Sequence, residues 1–403
     1  MTGSSDLRGR SPDLRARAAR LPLSPPGILF AALGVLALAL PFLSLAANRI
    51  VAGEGVSAFA SAGVPTVAVA IACIAAGLAL GLVRGAPWMR LGGSLLGLAG
   101  LVLLLSQGAT TLLDGAGDFA RVSPAAGFWC LALALMLLMA DALSTMGLGP
   151  WRRGGLLVLL LAALAAVLWS GLLGDLSIAQ EYRGRIAAFR TATWRHVGLA
   201  FGSLAAAAAI GFPLGILCHR RPGLRGSVLP VLSFLQTIPS LAMFGLMIPL
   251  LGWVGSTVPG ARELGIAGIG FAPAFVALVL YSLLPVVANT VAGLAAAPAS
   301  ALEASRGMGM TAMQRLVRVE LPLGMPVILA GLRIVLVQNV GLAVIAGLIG
   351  GGGYGTFVFQ GLNQTATDLI LLGALPTVLM ALVSAIVMDI LVDLARPTPE
   401  RSR

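Results

Sequence analysis

Long apolar runs alternate along this chain with short polar breaks that carry arginine. Runs at roughly 28–47, 64–83, 91–107, 125–145 and 155–174 are followed by a second series at 197–218, 228–252, 271–293, 324–347 and 368–393. A transmembrane helix rises about 1.5 Å per residue and must cross about 30 Å of hydrocarbon, so each run predicts a membrane helix. The pattern therefore predicts an all-α polytopic membrane protein with about ten transmembrane helices. Ser44-Leu45-Ala46 resembles a signal-peptide cleavage site, but a run from Ile28 to Ala47 is too long for a signal-peptide core and reads as a membrane anchor. Residues 1–27 are rich in Arg, Ser and Pro and read as a disordered tail; residues 396–403 read as a second polar tail.

Between the two series the periodicity changes. Ile178, Tyr182, Ile186 and Phe189 follow one another at helical spacing, with Glu181, Arg183, Arg185 and Arg190 elsewhere around the helix. This predicts an amphipathic helix over 175–196 lying in the membrane interface on the outer side. It divides a five-helix block, 28–174, from a second five-helix block, 197–395.

Composition agrees with the hydrophobic pattern: 58% of residues are hydrophobic and 10% charged, against about 25% charged in a soluble domain. The net charge of +11 does not point to nucleic acid, because the arginines sit in separate clusters between apolar runs. With the N-terminus inside, eighteen arginines fall on the cytoplasmic side, seven outside and Arg333 within a span, which predicts that both termini are cytoplasmic. Arg333 lies near the start of its span, where snorkelling to the interface accounts for it. Every basic residue is arginine. Without lysine there is no Walker A loop and no Schiff base, so any ATP is hydrolysed by a partner. Asp141, Asp389 and Asp393 fall near cytoplasmic span ends and Asp368 near an outer one; none marks a midplane ion site. Cys73, Cys130 and Cys218 lack the paired spacing of metal or disulfide chemistry, and no metal site is expected.

The segment 298–322 is too patterned for a plain connector. Pro298 opens it, and Glu303 is expected in the first turn of a short helix, where its charge suits the helix dipole. Ala304 and Ser305 allow close approach of another surface. Gly307 and Gly309 are expected to break the helix, and Leu316, Val317 and Val319 to pack a second turn that Leu321-Pro322 ends.

These residues resemble the cytoplasmic loop of bacterial ABC importer permeases, which reads EAA, three residues, G, nine residues, I, one residue, LP. Here Glu303-Ala304-Ser305 is followed by Gly309, Val319 and Leu321-Pro322, with Ser for the second alanine and Val for Ile. From His196 to Ala395 the chain is similar to the osmoprotectant branch, which transports glycine betaine, choline and related amines. The stretches concerned are Gly211–Gly215, Gln236–Ala242, Tyr281–Pro285, Asn289-Thr290, Arg306–Met310 and Ile349–Gly355, where Tyr354 stands in place of the usual leucine. The first five helices look like the extended form of some low-affinity betaine systems. The resemblance implies a type I, methionine-importer-like permease core in 197–395. It further implies a dimer of ATPase subunits docked on Glu303, Ala304, Ser305, Gly309, Leu321 and Pro322. ATP and Mg would be bound by those subunits, and no cofactor by this chain. A periplasmic or lipid-anchored binding protein would deliver substrate, and a second permease, the same chain or another, would complete the path in a bacterial inner membrane.

Candidates for the path are polar groups inside spans. Gln236, Thr237 and Ser240 surround Pro239, with Pro230 and Pro249 on either side; such interrupted helices line substrate paths or simply kink for packing. Asn289, Gln338 and Asn339 are path groups or interhelical glue, and Tyr281 could face a quaternary ammonium. His196 and His219 sit at span ends in polar interface roles. Gly352, Gly353, Tyr354 and Gly355, within the glycine-rich 350–355 run, read as a re-entrant outer gate or as a flexible loop. Two alternatives stand beside the osmoprotectant permease: an ABC permease for another solute such as an amino acid, and an ion-coupled secondary carrier. The second leaves the loop unexplained.

Overall fold

In the computed structural model, residues 23–49, 51–84 and 87–396 are described, and most of both expected tails lies outside them. The contacts divide the chain into two units, Met1–Leu148 and Gly149–Arg403.

The first unit is a helix bundle with a small sheet. α1 (Pro25–Ala37) starts where Ser24 accepts from Gly27 N–H and prolines occupy its first turn. The chain then turns, and β1 (Leu43–Ala46) pairs antiparallel with β2 (Glu54–Val56) on one side and, later, β3 (Arg121–Pro124) on the other. The expected first span, 28–47, is corrected accordingly: its helix ends at Ala37 after 13 residues, and Leu43–Ala46 is strand. Pro41 has no N–H with which to continue a helix, and Phe42 and Leu43 bury themselves completely beneath the sheet. α2 (Val64–Gly81), α3 (Pro87–Leu113) and α4 (Ala126–Thr145) complete the unit around Leu104, Leu131, Leu135 and Leu138.

Arg90 on α3 forms an ion pair with Asp141 on α4, and Arg90 is nearly fully buried. Removing one partner strands a buried charge, which costs on the order of 3–5 kcal/mol, whereas exchanging both for apolar groups is close to neutral. Arg90→Ala is therefore expected to lower the thermal unfolding temperature of the purified protein strongly. Arg90→Met with Asp141→Leu should recover most of the loss, read by scanning fluorimetry in the same detergent.

The second unit begins with α5 (Pro150–Trp169), expected in the first block. It belongs here because Arg153 forms an ion pair with Asp393 of the last helix. The amphipathic segment is two helices rather than one. α6 (Ser177–Arg183) stops at Gly184, Arg185 leaves helical geometry, and α7 (Ile186–Val197) restarts the chain. α7 then runs without interruption through a π-helical turn at Gly198–Gly202 into α8 (Ser203–Arg220), making one helical stretch of 35 residues. No proline separates them, so nothing stops the helix at the expected boundary.

The expected span 228–252 is broken outright. α9 (Pro222–Thr237) ends at Ile238, whose ψ of 125° is extended, and α10 (Ser240–Thr257) begins after Pro239. Proline pushes the residue before it out of helical geometry, which puts the break at Ile238. α11 (Phe271–Ala295), α12 (Ala299–Gly307), α13 (Ala312–Arg315) and α14 (Leu321–Ile345) follow. The unit closes with α15 (Gly355–Asn363) and α16 (Thr367–Ala395). Its core lies where α8, α11 and α14 meet, with Leu199, Phe244, Leu278 and Ala343 in one cluster and Ala207, Val286, Val287 and Val335 in another. Arg333 does not simply snorkel: it forms an ion pair with Asp389 of α16. Among the described residues nine helices are long and apolar enough to cross a membrane, and α1 is a shorter apolar helix.

Candidate functional site

The segment between α11 and α14 folds as a hairpin standing on two membrane helices. α12 ends in a Schellman motif: Met310 N–H donates to Ser305 O and Gly309 N–H to Arg306 O, with Gly309 at a φ of 72°. Gly309 thus makes the left-handed turn that a side chain would strain. Gly307 is still helical, contrary to expectation, and Glu303 is the fifth residue of α12 rather than part of its first turn. Thr311 and Gln314 then form a capping box that starts α13.

Leu321-Pro322 does not end the second helix. A π-helical turn at Leu316–Glu320 carries α13 directly into α14, giving one helical stretch from Ala312 to Ile349. Proline is tolerated in the first turn of a helix, and here the wider turn precedes it. At about 1.5 Å per residue this stretch measures about 57 Å, so the second leg of the hairpin and the full membrane span are one rod.

The rod is anchored where it leaves the membrane. Gly293 of α11 and Gly324 of α14 touch backbone to backbone; a Cβ on Gly324 would sit 2.6 Å from the carbonyl carbon of Gly293. Glu320 is nearly buried between Arg315, at 3.5 Å, and His219 of α8, at 3.8 Å, while Arg220 donates to Ala312 O at 3.1 Å. Glu320 and Arg220 escaped the sequence reading, which gave His219 a polar interface role without its partner Glu320. The signal was present as an acid at the end of a basic helix and a His-Arg pair closing another. Ser305 is buried, with its hydroxyl on Leu302 O, whereas Glu303, Ala304 and Pro322 are exposed and Leu321 is half-buried. Met308, Met313 and Val317 add exposed apolar surface, Met308 at 69%. Together these leave an apolar patch open on an otherwise polar hairpin.

The candidate path residues separate into two groups. Gln236 donates to Tyr281 O at 2.8 Å, and the Tyr281 hydroxyl donates to Ile238 O. Pro285 has no N–H for the carbonyl of Tyr281, and the break at Pro239 frees that of Ile238, so each side chain repairs the helix the other's proline has interrupted. Tyr281 is 5% exposed and its hydroxyl is engaged in this repair, so the expected open face toward a cation is not present. Asn289 donates to Pro285 O at 2.7 Å and packs over Gly331. Asn339, fully buried, donates to Ser203 and Ser282, both at 2.9 Å, and so ties α8, α11 and α14 together. By contrast Thr237, Pro239 and Gln338 are exposed and Ser240 is half-buried. Gln338 lies on one face of α14 with Ile334 and Gly341, all exposed.

The glycine-rich run is a built turn rather than a slack loop. Gly350, Gly352 and Gly353 hold φ values of 76°, 81° and 76°. A Cβ on Gly352 would lie 2.5 Å from Arg195 Cδ and one on Gly353 3.0 Å from His196 Nδ1, while Gly355 lies against the Val344 backbone. Tyr354 is buried, donates through its hydroxyl to Thr193 at 3.0 Å, and stacks near Phe189 and His196. Burial pushes the Tyr354 phenol above its ordinary pKa, with the Thr193 hydrogen bond pulling the other way. These rings pack on one another and do not line an aromatic cage.

The second unit is thus a bundle of membrane-length helices with an exposed hairpin, 298–322, built onto two of them. Residues 211–400 match the model of the binding-protein-dependent transport system inner membrane component, and residues 24–179 that of the N-terminal domain of the ABC transporter permease YehY. The chain is 40% identical over 191 residues to the carnitine transport permease protein OpuCB of Listeria monocytogenes, covering 47% of this chain and 80% of that protein. It is 42% identical over 191 residues to the osmoprotectant import permease protein OsmW of Salmonella typhimurium, covering 47% and 84%. A chain of the MetNI methionine ABC transporter in an inward-facing form aligns at 23% identity with a TM-score of 0.46, over 53% of this chain and 98% of that one. The protein belongs to the permease family of binding-protein-dependent ABC importers and is an integral inner-membrane protein.

Proposed function

We propose that this chain forms the membrane path of an ATP-driven importer for glycine betaine, choline or carnitine-type osmoprotectants. The observation that carries the reading is the hairpin 298–322: an exposed docking surface continuous with a full membrane span. Two ATPase subunits dock there, binding ATP and Mg, and their motion is delivered along α14. The hairpin and both termini face the cytoplasm, as the arginine distribution favours. A second permease subunit lies against the α14 face bearing Gln338, because an exposed amide within a span is poorly suited to lipid. Thr237, Ser240 and Gln338 are then the path groups, while Gln236, Tyr281, Asn289 and Asn339 hold the helices in place. A periplasmic or lipid-anchored binding protein delivers the solute to the side carrying Gly352–Gly355. The identity to carnitine and osmoprotectant permeases supports this substrate class.

The test is ATP hydrolysis by the complete complex with its binding protein in proteoliposomes. Glycine betaine, choline or carnitine is expected to stimulate hydrolysis several-fold, and amino acids not at all. Stimulation by an amino acid alone would overturn the substrate class and leave the permease role standing. Uptake by the purified chain alone, driven by an ion gradient, would overturn both.

A further inference from the structure

His196 is an unusual residue to find inside a membrane bundle: it is fully buried and both ring nitrogens are engaged. Nδ1 accepts from the Tyr354 N–H at 3.3 Å, and Nε2 faces Val340 O at 3.1 Å. A backbone N–H only donates and a carbonyl only accepts, so the proton sits on Nε2 and the ring is neutral. The imidazole therefore bridges the glycine-rich turn on one side and the C-terminal part of α14 on the other. The Tyr354 ring lies over it, with centroids 4.8 Å apart. The backbone of Gly353 passes so close that a Cβ there would press on Nδ1. The next contact along α14 is Asn339, held to Ser203 and Ser282, so the rod is gripped at two successive residues.

We propose that His196 is a positioning residue for the outer gate: it fastens the 350–354 turn to α14, so that displacement entering at the hairpin is transmitted to that turn. The proposal rests on the hairpin being the docking site. α14 leads into the turn through a short 3-10 segment at Ala346–Ile349, where Gly351 N–H donates to Ala346 O, and the left-handed Gly352 and Gly353 then carry the chain to Tyr354. The His196 side chain adds a second fastening, from Tyr354 N–H beyond those glycines back to Val340 O of α14. Sequence gave His196 only an interface role, because the partner groups are backbone atoms 144 and 158 residues away.

The experiment follows amide hydrogen exchange in the complete complex in lipid nanodiscs, nucleotide-free and trapped with ATP and orthovanadate. In the unmodified complex, trapping is expected to alter exchange at both 303–320 and 350–354. In His196→Ala the response at 303–320 should persist while that at 350–354 falls about fivefold, the size of one lost hydrogen bond. His196→Asn restores an acceptor near Nδ1 and should restore the response. Equal responses in His196→Ala and the unmodified chain would overturn the proposal. So would exchange raised throughout 186–395, which marks a purely structural residue, or an unmodified turn that ignores trapping while the hairpin responds. A hairpin that itself fails to respond overturns the docking reading, and the latch with it. None of these readouts depends on which solute is carried.

Discussion

Glu303→Arg is expected to abolish solute uptake while the protein still inserts and accumulates in the membrane. Glu303 is exposed in the middle of α12, away from the first turn and from the Schellman cap, so its reversal costs the fold little; exposed substitutions of this kind usually stay within ±0.5 kcal/mol. On a docking surface the same change matters far more, because a like charge placed in a desolvated contact costs several kcal/mol, equivalent to a hundredfold or more in affinity. Uptake per membrane-inserted permease should fall below ~5% of the unmodified level, and the ATPase subunits should no longer co-purify. Glu303→Gln keeps the shape and removes only the charge, so its loss should be intermediate. Unchanged uptake in Glu303→Arg would remove the hairpin from the energy path altogether.

The spans and the hairpin could be read from the sequence because both rest on local chemistry. Apolar length alone marks a membrane helix, and the break at Gly309 needs only a left-handed residue at the right place. What the sequence reading missed was set by partners far along the chain. Arg333 pairs with Asp389 and Arg153 with Asp393, contacts invisible to a scheme that judges each charge by its distance from a span end. Helix ends were misjudged where proline was taken as a terminator at Pro322, since a preceding π-helical turn lets the helix continue through it.

The path candidates show the same division more sharply. Sequence singles out Gln236, Tyr281, Asn289 and Asn339 because polar groups in a membrane need a reason. For Gln236, Tyr281 and Asn339 that reason is a hydrogen bond to a carbonyl left free by a helix break or to a serine on a neighbouring helix, while Asn289 bonds back to Pro285 O on its own helix and packs on Gly331 of α14. Residue type told that these positions matter, but only geometry told that they hold helices together. Gln338, one residue before Asn339, points the other way and is exposed. Neighbouring amides on one helix thus serve different faces, as about 100° of rotation per residue requires.

Gly324→Leu should be nearly as damaging as the Glu303 reversal, by an independent route. The two legs of the hairpin meet at Gly293 and Gly324, and a side chain on either must displace backbone: a Cβ on Gly293 would lie 2.8 Å from Gly324 O. Backbone within two packed helices has no rotamer to change, so α11 and α14 must separate where the hairpin begins. Overpacking of this kind typically costs 1–3 kcal/mol, and roughly the upper end applies where only backbone can move. The hairpin would then no longer stand as a fixed bracket on α14, and Glu320 would lose its place between Arg315 and His219. Uptake is expected to fall to background, and the thermal unfolding temperature in detergent to drop. Gly92→Ala, at a helical glycine with open space around it, serves as the control and should leave both unchanged. If Gly324→Leu retained full uptake, the hairpin would have to transmit force without a closed base, and a rigid bracket would be the wrong description of how docking reaches the membrane.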